Sequence, residues 1–106
     1  MYYIYLLRCA DDSVYTGITT DVQRRYREHC SGRGAKYTRS HKPKKILAVF
    51  VSRDKSSALR LEYRIKQLSK SQKERIGSEK TLSVLESCLD ITQYQYIEGE
   101  TLVGHS

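Results

Sequence analysis

Six consecutive apolar residues, Ile46-Leu47-Ala48-Val49-Phe50-Val51, constrain this chain more than any other segment. Six residues make less than two turns of helix but a strand of about 20 Å. A strand with one face in water alternates apolar and polar side chains. This run does not alternate, so it belongs in the middle of a sheet with both faces covered. It is also far short of the roughly 20 apolar residues that cross a membrane, and no membrane partner is expected. At 106 residues, the chain suits one compact α/β domain with a modest core. The opening Met1-Tyr2-Tyr3-Ile4-Tyr5-Leu6-Leu7-Arg8 lacks both a basic leader and a small-residue cleavage site. No signal peptide is expected, and a cytoplasmic location follows. The three cysteines, Cys9, Cys30 and Cys88, are an odd count with no CxxC pair, which predicts reduced thiols and neither a disulfide framework nor a zinc site.

Around that strand the order of elements reads β-β-α-β-α-α. Tyr2 to Leu7 and Val14 to Ile18 form two β-rich runs on either side of the turn cluster Asp11-Asp12-Ser13, a predicted hairpin. Thr20 with Gln23 fits a capping box, and Gly32 suits a helix stop, so a helix is predicted from about Asp21 to Cys30. One face of it carries Val22, Arg25, Tyr26 and His29. An arginine and a histidine on a core stripe need a reason, whereas Arg24 and Arg27 lie on other faces. Gly32 to Lys45 reads as a flexible basic loop. A second helix starting near Ser56 or Ser57 carries Ala58, Leu61, Ile65 and Leu68 as its stripe, with Glu62 on the flank. Ser71-Gln72-Lys73-Glu74 is a capping-box pattern for a third helix, and Thr81 to Leu89 predicts a further short one. The tail from Asp90 to Ser106 is acidic and polar, with Tyr94-Gln95-Tyr96-Ile97 as its apolar exception.

Charge is unevenly placed. Residues 1–76 carry 18 Lys and Arg against seven Asp and Glu, a net +11, while residues 77–106 carry −4. A field of that strength favours a polyanionic partner through counterion release from phosphates. Candidate nucleic-acid contacts are Arg24, Arg33, Lys36, Tyr37, Arg39, Lys42, Lys44, Lys45 and Lys66, with Tyr37 able to stack on a base.

Five residues carry a more specific pattern. Tyr3-Ile4-Tyr5 lies in the first strand and Tyr15-Thr16-Gly17 in the second. Arg25 follows Tyr15 by ten residues, His29 lies one helical turn further, and Glu62 sits on the later helix. Over roughly residues 2–76 this resembles the GIY-YIG nuclease family, most of all its short free-standing members. Three departures are visible: Tyr3 replaces a glycine, Thr16 replaces an isoleucine, and Ile18-Thr19-Thr20 lacks the lysine found there in some relatives. The resemblance implies an α+β fold with a three-stranded antiparallel sheet flanked by helices. It implies a nuclease domain over residues 1–80, followed at 81–106 by a short helix and an acidic, flexible tail.

The resemblance further implies a metal-dependent endonuclease acting on DNA phosphodiester bonds. The substrate class extends to single-stranded, branched or duplex DNA, and to RNA. In this reading Glu62 holds one Mg²⁺ or Mn²⁺ ion, which tolerates few protein ligands. Arg25 grips phosphate bidentately, Tyr5 or Tyr15 is the base, and His29 orients phosphate or assists proton transfer. The alternative is a nucleic-acid-binding module with little or no catalytic activity. There the tyrosines pack, Arg25 and His29 pair with a carboxylate, and Glu62 pairs with Lys66 four residues on.

Overall fold

Strand β1 (Tyr2–Cys9) is paired on both sides, by β2 (Val14–Thr19) and by β3 (Pro43–Ser52), all antiparallel. The structure, a computed structural model, describes residues 1–34 and 36–98, except for the side chain of Arg39. A fourth strand, β4 (Gln95–Ile97), pairs with β3, giving the order β2-β1-β3-β4. The sheet thus has four strands where three were expected. The addition comes from Tyr94-Gln95-Tyr96-Ile97, the apolar exception in the tail. The remainder of that tail, 99–106, lies outside the described residues.

The apolar run behaves as predicted, and the reason is a covered face on each side. On one face, Ile4, Leu6, Ala48 and Phe50 pack against Ala58, Leu61, Ile65 and Ile76. These come from helices α3 (Lys55–Lys66) and α4 (Lys70–Glu79). On the other face, Tyr5, Leu7 and Val49 pack with Val22 of helix α1 (Val22–Cys30). The run is not a simple alternation because the β1–β3 register shifts between Leu6 and Leu7. Leu6 faces Ala48 and Leu7 faces Ile46, leaving Leu47 in a bulge that turns it toward α4, where it meets Gly77.

Helix ends differ slightly from the sequence reading. Asp21, not Thr20, caps α1 by accepting from Arg24 N, and Gly32 follows the helix with φ +80°. The α4 capping box is Ser69 with Gln72, two residues ahead of the predicted one. The basic loop is not wholly irregular, since it contains a short helix, α2 (Lys36–Ser40). The helix predicted over 81–89 is one 3₁₀ turn, Ser83–Leu85; a second follows at Ile91–Gln93. Leu82, Leu85 and Tyr94 nevertheless bury against the core, and the Tyr94 hydroxyl donates to the Ser57 carbonyl at 2.6 Å. Thr16 packs as a β-branched core residue, its buried hydroxyl without a hydrogen-bond partner among the described residues. All three cysteines are free, with Cys9 buried and Cys30 and Cys88 exposed. No helix of the described residues is long and apolar enough to cross a membrane.

Candidate active site

The site forms where α1 crosses the β1–β2 hairpin. In the β1–β2 register Tyr5 lies opposite Gly17, and the close approach needs that glycine. A Cβ at Gly17 would collide with the Tyr5 hydroxyl and stand 2.6 Å from its Cζ. The hydroxyl is thereby free to reach across to α1, where it bonds His29 Nε2 at 2.8 Å. The other ring nitrogen, Nδ1, lies 2.6 Å from Thr38 Oγ1 on α2. Gly34 closes this pocket from the loop, since a Cβ there would run into the His29 ring and come within 2.9 Å of His29 Cα. Sequence reasoning missed Thr38 and Gly34, because a threonine in a basic stretch carries no periodic signal.

Arg25 sits one turn before His29 on the same face. Its Nη1 bonds Glu28 Oε1 at 3.0 Å, and the guanidinium also lies against the Tyr5 hydroxyl. The structural pairing anticipated for Arg25 is therefore present. A guanidinium carries five donors, so one carboxylate leaves others to turn outward. Burial raises the Tyr5 pKa well above the usual phenol value, with the neighbouring Tyr15 adding to the shift and Arg25 opposing it. Glu62 also contributes to raising it, so its charge is felt at the Tyr5 hydroxyl although α3 packs on the other face of the sheet. The Glu62 side chain is 16% exposed and pairs with Lys66 at 3.3 Å.

His29 is fully buried, and burial, followed by the Arg25 charge, pulls its pKa down to about 4. Its ring is therefore neutral at pH 7. With Arg25 favouring the Tyr5 oxygen as acceptor, the Tyr5 hydroxyl donates to Nε2, and Nδ1–H donates to Thr38. The consequence for stability has a definite sign. Between pH 6.5 and 4 the unfolded histidine binds a proton that the folded one refuses. Stability is complete above about pH 6.5, falls as pH drops toward 4, and is unaffected by this group below that. The loss is on the order of 3 kcal/mol. Urea midpoints measured from pH 7 to 4 should show this decline in the wild type and lack it in His29→Gln. An equal decline in both would assign the effect to other groups.

The remaining candidates fall around this centre. Tyr15 is half-buried, its ring 6.3 Å from Tyr5 and 5.3 Å from His29. Tyr37 stacks on Tyr15 at 5.7 Å, and His41 stacks on Tyr37 at 4.1 Å. His41 is held by the Tyr37 carbonyl at 3.0 Å and lies 3.3 Å from Asp11. Arg24, Arg33, Lys36, Lys42, Lys44 and Lys45 are exposed, while the Arg39 side chain lies outside the described residues. Lys45 faces Arg8 in the register and shares with it and Glu74 a cavity on the α4 side of the sheet, on the face away from Tyr5. Among the described residues no three His, Cys, Asp or Glu side chains converge as a metal cluster. The donor set on offer is one carboxylate, which suits a hard ion that keeps most of its waters and draws further ligands from phosphate.

Two hydrogen-bonded tyrosine strands, an inward arginine and histidine on one helix and a carboxylate on a later one agree with the comparisons. The chain belongs to the GIY-YIG family: the GIY-YIG catalytic domain matches residues 1–75. Membership implies, in general terms, a nuclease acting on nucleic acid. Within that family the chain is similar to UPF0213 proteins. It is 46% identical to UPF0213 protein YhbQ of Salmonella arizonae, over 93% of this chain and 97% of the relative. It is 58% identical to a UPF0213 protein of Cupriavidus necator, over 68% of this chain and 78% of that one. The solution NMR structure of a UPF0213 protein from Bacillus halodurans shares the fold, with a TM-score of 0.50 and 44% identity. That match covers 83% of this chain and 95% of the other.

Proposed function

We propose that the protein is a metal-dependent endonuclease hydrolysing phosphodiester bonds of DNA, with Tyr15, Arg25 and Glu62 meeting the substrate. The observation that carries this reading is the bonded line Arg25–Tyr5–His29–Thr38, which fixes the guanidinium beside the tyrosine pair. Phosphodiester hydrolysis needs a base for water, positive charge on the phosphoryl oxygens and a rigid frame. Tyr5 is 2% exposed and committed to His29, so it is a positioning residue. Tyr15 is the more open of the two and, in its phenolate form, takes the proton of the attacking water to return to the neutral phenol. Arg25 turns its remaining donors onto the phosphate. Glu62 would hold a Mg²⁺ or Mn²⁺ ion, which supplies charge for the phosphoryl oxygens when bound.

The competing reading, a binding module without catalysis, is favoured by one observation, the Glu62–Lys66 pair. One assay separates them. Purified protein is incubated with Mg²⁺ or Mn²⁺ and labelled single-stranded, duplex and branched DNA, and RNA. Metal-dependent cleavage of any DNA supports the nuclease. Salt-sensitive binding without cleavage in either metal supports the module, and cleavage confined to RNA would replace the substrate assignment.

A further inference from the structure

Helix α4 brings to the site a cation that the reading above does not use. Lys73 lines a cavity of about 230 Å³, together with Ser13 and Val14 of the hairpin, Tyr37 of α2 and Lys70. Burial and the neighbouring Lys66 both pull the Lys73 pKa below the usual lysine range. Lys70 is already engaged by Asp12 at 3.2 Å and Glu74 at 3.9 Å. No carboxylate among the described residues pairs with Lys73. A partly buried ammonium without a counter-ion weakens a fold, and such an arrangement points to an anion brought from outside.

Position narrows the kind of anion. The cavity borders Tyr37, which stacks on Tyr15, so one end of it adjoins the tyrosine assigned to water. Lys66, felt electrostatically at Lys73, is paired with Glu62. Lys73 thus has the aromatic stack across the cavity and Lys66, the partner of Glu62, as a neighbouring charge. The space holds a phosphate group and a few waters, at about 30 Å³ per water, rather than a nucleoside. We infer that this cavity is a phosphate subsite, in which Lys73 holds a backbone phosphate of the nucleic acid beside the scissile one. The inference rests on the nuclease reading for its register along the strand, but not for the binding itself.

The test is therefore made without catalysis. Binding of a fluorescent DNA oligonucleotide is measured in EDTA over a series of salt concentrations. The proteins compared are the wild type, Lys73→Gln, and Lys55→Gln at the opposite end of α3 from Lys66. One lost phosphate contact should lower the slope of log affinity against log salt by about one, and weaken binding about five- to tenfold at ~0.1 M salt. Lys73→Gln should also melt at a higher temperature, since it removes an uncompensated charge. Unchanged slope, an equal loss in Lys55→Gln, or a lower melting temperature in Lys73→Gln would overturn the subsite. Inorganic phosphate is the second probe. If it raises the wild-type melting temperature, not that of Lys73→Gln, while the DNA slopes coincide, the cavity takes a free anion and the nucleic-acid assignment falls. A slope difference in a protein that cleaves nothing under Mg²⁺ or Mn²⁺ would sustain the subsite and defeat the nuclease reading.

Discussion

Glu62→Gln should lower metal-dependent cleavage by about a thousandfold or more, while DNA affinity in EDTA stays level or rises. The amide keeps the volume and helix propensity of the carboxylate but loses the charge that a hard cation requires. Electrostatic help from a divalent ion amounts to several kcal/mol of barrier, and each 1.4 kcal/mol or so is tenfold in rate. Affinity should not suffer, because one negative charge near the phosphates has gone and Lys66, no longer tied at 3.3 Å, becomes available to them. Stability should barely change, since an i,i+4 pair of this kind contributes about a few tenths of a kcal/mol. Cleavage and melting curves on this single variant decide between the two readings of Glu62. Full activity would leave the carboxylate as a partner of Lys66 and nothing more.

The two tyrosines should separate just as sharply. Tyr15→Phe removes the open hydroxyl and is expected to cut cleavage by about 10²- to 10⁴-fold, the range of a lost general base, with the melting temperature nearly unchanged. Tyr5→Phe leaves His29 Nε2 buried without a partner, and should cost about 1–3 kcal/mol of stability as well as activity. It should also move the acid unfolding step, because the histidine has lost the hydroxyl that favours its neutral ring. A dead but undiminished Tyr5→Phe beside an active Tyr15→Phe would exchange the two roles.

Much of this arrangement was legible in the sequence because it is local. The unbroken run from Ile46 to Val51 predicted a strand covered on both faces, and the core clusters place residues of that run on each side. The spacing of Val22, Arg25 and His29 placed all three on one side of α1, and α1 buries Val22 and His29. What escaped depends on contacts between distant segments. The bulge at Leu47 follows from pairing with β1, not from anything in the run itself. Two overlapping capping patterns lie within Ser69–Glu74, and only the packed helix chooses Ser69. The bond between His29 and Thr38 arises because α2 folds back over α1. A three-residue strand such as β4 is too short to announce itself by alternation.

That short strand has a consequence away from the chemistry. Without Gln95–Ile97, the backbone groups of Val49, Phe50 and Val51 would face solvent along the most apolar stretch of the molecule. A bare strand edge of that composition is a template for pairing with another chain. Three residues that touch neither Tyr5 nor Glu62 thus govern whether copies of the protein stay apart at high concentration. A version trimmed to residues 1–80 would keep every proposed catalytic side chain and still be prone to aggregate.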